Sequence, residues 1–156
     1  QNKILYAVTK QTAAEIIIQR ANENKPNMAL TSWKGSVVRK QDIYIAKNYL
    51  NEDELDSLNR FVVVFLETAE LRAKNRQDIT MYFWHENIDR IIQFNDKPIL
   101  DHKGTISHAQ MEELVGGVYE KFDALRKSLD AQKADEDEIE ELKQIAQNLK
   151  PGEPKE

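Results

Sequence analysis

Apolar residues return at three- and four-residue steps along most of this chain and rarely at every second position. That period predicts helices. Ile4, Leu5 and Val8 open the first, which runs out near Lys10. Thr12 followed by Glu15 has the spacing of a capping box, each side chain satisfying the other's backbone N–H. The helix it starts gathers Ala13, Ile16, Ile17 and Ala21 on one face, and Pro26 ends it. Asn51 with Glu54 marks the next start, where Glu52, Asp53, Glu54 and Asp56 suit the positive end of a helix dipole. Leu55, Leu58, Val62, Phe65, Leu66 and Ala69 then form one stripe, and Phe61, Val64 and Leu71 a second. So wide an apolar arc predicts a helix over about 51–74 at the centre of the core. Thr80 is placed to cap a helix with Met81, Trp84, Ile88, Ile91 and Ile92 on one side, closed by Asn95-Asp96-Lys97-Pro98. Ser107 with Gln110 repeats the box ahead of the cleanest stripe, from Met111 through Leu114, Val115, Val118, Phe122 and Leu125 to Leu129.

Elsewhere the pattern is softer. Leu30–Trp33 turning at Gly35-Ser36 into Val37-Val38 fits a small β-hairpin near 30–38, and a loop nearly as well. A short helix is expected from about 41 to 49. Gly116-Gly117 interrupts the last stripe at a cost of about 2 kcal/mol in helix propensity, which points to a bend or a close helix–helix approach. Ile139, Leu142, Ala146 and Leu149 keep helical spacing inside a heavily charged segment, as in a helix docked on the domain or on a partner. The expected fold is all-α, with five to seven helices around the 51–74 helix. Residues 1–129 are expected to form a helical globular domain. Residues 130–156 should add an acidic C-terminal helix and a disordered tail, KPGEPKE, from 150.

Composition narrows the function classes. No Cys is present, which removes disulfides and thiolate metal sites. The longest uncharged apolar run, Phe61–Leu66, is far too short to cross a bilayer. With no leader pattern either, a cytoplasmic protein without a membrane role is expected. A start without Met, already in helical register, reads as a domain excised from a longer chain. The net charge of −5 hides an asymmetry. Residues 1–50 hold eight Lys/Arg against three Asp/Glu, 51–129 ten against fifteen, and 130–156 four against nine.

That asymmetry supplies the candidate binding residues: Lys25, Trp33, Lys34, Arg39, Lys40 and Lys47, with Tyr44 close by. Cations beside aromatic rings neutralise phosphates while the ring stacks on a base. The alternative is that Trp33 anchors a loop and the cations face the acidic helices. His102 and His108, six apart with a glycine between, lack the i, i+4 pairing of a zinc helix, so no metal or other cofactor is assigned. His85 and Asp89, one turn apart, are expected to pair. Glu67 and Glu70 share a helix face that Arg60 and Arg72 can neutralise, a surface ion-pair set rather than an acid–base couple. None of the phosphate-loop, zinc-helix, serine-elbow or kinase signatures occurs, so no catalytic residue is named.

Several segments together resemble the C-terminal half of the RhuM-type bacterial virulence-protein family. These are QNKILYAVTKQTAAEIIIQRA (1–21), KPNMALTSWKG (25–35), VRKQDIYIAKNYLNEDELDSLNR (38–60), FLETAEL (65–71), QFNDKPIL (93–100) and GTIS (104–107). Ala29 stands where the family pattern NMGLT has glycine. The resemblance implies a longer parent protein whose N-terminal region is similar to a helix-turn-helix or phage-antirepressor module, and it brings no activity for this half. Some related proteins carry a Fic/Doc-type transferase domain, but Gln1-Asn2-Lys3 lacks the preceding His and following Arg of that signature. The expected function is a non-enzymatic helical module for self-association or partner binding. Nucleic-acid contact is expected mainly through a region outside this chain. The alternatives are an unrecognised enzyme or toxin, or a nucleic-acid-binding module, working through the basic 25–47 surface.

Overall fold

The structure is a computed structural model that describes residues 2–148. Five α-helices, and no strand among the described residues, make it all-α: α1 Asn2–Thr9, α2 Ala13–Arg20, α3 Glu52–Lys74, α4 Met81–Phe94 and α5 His108–Asn148. Three short 3-10 turns, Pro26–Ala29, Asp42–Tyr44 and Ala46–Tyr49, fill the connection between α2 and α3. The chain divides into two compact units, residues 1–119 and 120–156. Leu149 and the expected tail 150–156 lie outside the described residues.

Three of the four expected helix caps form as their sequences direct, while at Thr12–Glu15 the Glu15 side chain makes its bond and Thr12 Oγ1 is buried without a partner. Asn51 Oδ1 accepts from Glu54 N–H at 2.9 Å while Glu54 Oε2 accepts from Asn51 N–H at 3.0 Å. Thr80 Oγ1 accepts from Phe83 N–H, and Ser107 Oγ from Gln110 N–H. The carboxylate of Glu15 accepts the Thr12 N–H at 2.8 Å and reaches further, taking the N–H and hydroxyl of Thr105 at 2.7 Å each. That second contact ties the loop before α5 to the start of α2. Three hydrogen bonds hold the Glu15 carboxyl down to about 2, the Thr12 backbone contributing most. Gly104 makes the approach possible: its φ is +82°, and a Cβ there would sit 2.9 Å from Thr12 Cγ2.

The core is not centred on α3. Most of the fully buried large side chains come from the first fifty residues: Leu5, Ile16, Ile17, Met28, Val38, Ile43 and Leu50. α3 adds none of these; its Phe61, nearly completely buried, meets Ala7 and Ile92 in a second cluster with Ile4, Val8, Phe65 and Ile88 around it. α1 therefore packs against α2, α3 and α4, and Lys3 Nζ clamps both oxygens of Asp89 at 2.6 and 2.8 Å. Asp89 thus takes Lys3 as its partner instead of the expected His85. The two apolar stripes of α3 fare differently from the expectation. Leu55, Leu58, Phe61 and Phe65 turn inward, while Val62, Val63, Val64, Leu66 and Leu71 are exposed. Apolar residues all around a helix call for cover, but they do not specify that this chain supplies it.

Of the two readings of 30–38 the structure has the loop and not the hairpin, and the hydrogen bonds explain why. Thr31 N–H and its hydroxyl donate to Asn48 O at 2.7 and 3.0 Å, and the hydroxyl also to Leu50 O at 2.7 Å. Leu30–Trp33 is tied to the end of the same connection rather than to Val37-Val38. Asn48 Nδ2 donates to Asp42 O, and Tyr49 Oη donates to Ile43 O. Arg20 then locks the segment from outside, donating to Tyr49 O at 2.9 Å and to both carboxylate oxygens of Glu54 at 2.6 and 2.7 Å. The turn Pro26–Ala29 runs through the left-handed region, with φ of +52° at Asn27, +57° at Met28 and +65° at Ala29. Met28 is completely buried by it.

Gly116 and Gly117 sit within the continuous helix α5. A Cβ on Gly116 would meet the Tyr44 hydroxyl at 3.4 Å, whereas one on Gly117 would meet nothing within 4 Å. The close approach is to a tyrosine of the irregular connection, not to another helix.

Candidate functional site

All six candidate binding residues lie on the connection between α2 and α3, a segment held by its 3-10 turns and by both backbone and side-chain hydrogen bonds. Lys25, Lys34, Arg39, Lys40 and Lys47 are exposed and Trp33 is half-buried. Lys25 immediately precedes the left-handed turn, and Lys47 lies within the last 3-10 turn. Arg39 is positioned twice: its N–H donates to Asp42 Oδ2 at 2.9 Å, and its guanidinium lies 3.8 Å from where a Gly35 Cβ would be. Asp42 itself is buried, so it fixes the loop instead of presenting a carboxylate. The Trp33 indole nitrogen is buried without a hydrogen-bond partner. The segment thus displays cations from a well-tied loop and keeps Trp33 partly inside.

The histidines and paired carboxylates separate into local contacts. His102 meets Tyr6 edge to face at 5.3 Å, and its Nδ1 accepts from Gly104 N–H. His108 Nε2 lies 3.3 Å from Glu112. No group of three His, Asp or Glu suited to a metal ion occurs among the described residues. Glu70 pairs with Lys74 at 2.9 Å, and Arg60 with Asp56 at 2.6 Å. Arg72 does not neutralise Glu67 or Glu70 as expected. It lies 3.8 Å over the Phe83 ring and donates to Asp78 O.

The feature that sequence reasoning missed is the outer surface of α3 and α4. Val63 is 53 % exposed, Leu66 64 %, Leu71 62 % and Phe94 88 %. Three shallow hollows meet at Val64: one along α3 past Glu67 and Leu71, one toward Phe61 and Lys97, and one of about 500 Å³ between the helices reaching Ile91 and Phe94. None of the six basic-segment residues lines them. Contiguous apolar surface of this kind, rimmed by charges, is characteristic of interaction sites. The signal was the width of the apolar arc of α3, whose exposed members come from both stripes: Val62 and Leu66 from the first, Val64 and Leu71 from the second. The arc was legible, but not the side of the fold on which it would fall.

An all-α domain with an open apolar helical surface and dispersed polar groups is the class that the fold and geometry define. Within that class, residues 1–130 match the Virulence protein RhuM family, and the chain belongs to it. No curated protein and no solved structure matches the chain. Among the described residues, no helix is long and apolar enough to cross a membrane.

Proposed function

We propose that this domain is a non-enzymatic helical module for self-association or partner binding within a RhuM-family protein. The observation that carries the reading is the apolar outer surface of α3 and α4, where Val63, Leu66, Leu71 and Phe94 each expose half or more of their area. Leaving such a surface in water costs about 25 cal/mol per Å² of apolar area, and association recovers that term. In the second unit Ile139, Leu142 and Ile145 are likewise exposed along one helix, which fits the same role. Multi-angle light scattering of the domain and of its parent protein tests it. Concentration-dependent association is expected, and a strict monomer at high concentration for both refutes it.

A second reading is direct nucleic-acid contact, with or without chemistry, through the cations of residues 25–47. It is favoured by the exposure of Lys25, Lys34, Arg39 and Lys47 on the same segment as the half-buried Trp33. Phosphate contacts predict affinity that falls steeply with salt. Oligonucleotide titrations across ionic strength read this directly, and no binding at low salt removes it.

A further inference from the structure

We infer that the exposed face of α3 is a two-fold interface with a second copy of this chain, the two α3 helices lying antiparallel. This rests on the self-association reading and names its surface. The argument is the order of charges. Asp56, Arg60, Val63, Glu67, Glu70 and Lys74 fall within about 40° either side of one line along a helix of 3.6 residues per turn, and all six are exposed. Read from the N-terminus, the band is acid, base, apolar, acid, acid, base. Val64, Leu66 and Leu71 flank its middle and are exposed as well.

Turning a second copy through a two-fold axis level with residue 65 sets Asp56 opposite Lys74 and Arg60 opposite Glu70, with both pairs repeated on the other side. Near the axis Val64 then lies beside the second copy's Val64 on one edge and Leu66 beside its Leu66 on the other, and Glu67 falls within one turn of the second copy's Arg60. Asp56, Arg60, Glu70 and Lys74 each come level with an opposite charge, and Glu67 comes level with the second copy's Val63. Parallel alignment of the same band would set each charge against itself. The intrahelical pairs Arg60–Asp56 and Lys74–Glu70 already hold these four side chains in place, so pairing extends them into networks instead of ordering free chains. Helix dipoles also oppose in this arrangement. An isologous patch of this sort closes on itself and stops at a dimer.

The test is sedimentation velocity on the domain from micromolar to near-millimolar concentration at low salt, with circular dichroism confirming that each variant is folded. Wild type is expected to dimerise. Val63→Glu and Arg60→Glu should each weaken dimerisation about tenfold or more, because one substitution acts twice across a two-fold interface. The exchange variant Arg60→Glu/Glu70→Arg restores complementarity between copies and should recover most of the loss. Recovery by exchange is not expected of a residue that merely stabilises its own helix. If dimerisation survives Val63→Glu and Arg60→Glu but is lost in Leu142→Glu, the α3 interface is wrong while self-association stands. If wild type stays monomeric throughout, self-association fails with it, and the face belongs to a different partner.

Discussion

Ala29 occupies a backbone position that an L side chain resists, and Ala29→Gly is expected to stabilise the domain. Its φ is +65°, the last of three consecutive non-glycine residues in the left-handed region. Such a conformation costs roughly 1–2 kcal/mol per residue through the clash of Cβ with the following carbonyl oxygen. Glycine removes that clash but frees the unfolded chain, returning about 0.4–1 kcal/mol. The half-buried Ala29 methyl group also gives up some contact. The net expectation is a gain of about 0.5–1 kcal/mol, or about 1–4 °C in Tm for a domain of this size. Urea denaturation followed by circular dichroism, with the slope unchanged between variants, gives the difference directly. A loss of stability for Ala29→Gly at constant slope would refute the reasoning. Met28 supplies the contrast, for it has the same backbone sign but a side chain buried completely. Met28→Gly should lose about 2–5 kcal/mol, because the cavity outweighs any relief of strain.

Glu15→Gln should cost about 1 kcal/mol at neutral pH by weakening a helix start and its tie to Thr105, read by thermal melting. Because folding lowers the Glu15 pKa to about 2, wild type holds this stabilisation above the ordinary carboxylate value of 4.5 and loses it as pH falls from there toward 2. The variant's melting curve should therefore converge on that of wild type in acid. Arg20→Met should destabilise by about 1.5–3 kcal/mol, because it leaves the Tyr49 carbonyl without the Arg20 donor and Glu54 with only the Asn51 N–H. A double-mutant cycle with Glu54→Gln should give a coupling energy above the 0.2–1 kcal/mol or so of exposed pairs, and a value near zero would contradict the clamp. Gly117→Ala should stabilise by about 1 kcal/mol. Gly116→Ala should gain less, since the Tyr44 hydroxyl must yield, and chemical denaturation of both variants compares them.

Local chemistry was legible in the sequence wherever it is self-contained. The boxes at Thr12–Glu15, Asn51–Glu54 and Ser107–Gln110, and the cap at Thr80, depend on residues within three positions of each other, and each marks the start of an observed helix. The all-α class followed from the same periodicity. Partnerships across the chain were not legible. Asp89 chose Lys3 over His85 a turn away because α1 packs on α4. Arg72 went to Phe83 and the Asp78 carbonyl because the α3–α4 corner brings them under it. The stretch at 30–38 carried a pattern that fits a hairpin or a loop, and Thr31 and Asn48 offered its backbone partners that periodicity does not encode. The glycine expectation at position 29 pointed to a real constraint, since the residue there is left-handed.

The bonds from Lys3 to Asp89 and from Glu15 to Thr105 span 86 and 90 residues, which sets an order of events during synthesis. A ribosome adding about 5–20 residues per second needs several seconds after Glu15 emerges before Thr105 can meet it. Through that interval Ile4, Ala7 and Val8 of α1 lack the α4 side of their cluster. The residues up to Leu50 can meanwhile assemble around Ile16, Met28 and Ile43. The domain is thus built to close late: its first helix waits for a helix encoded some eighty residues downstream.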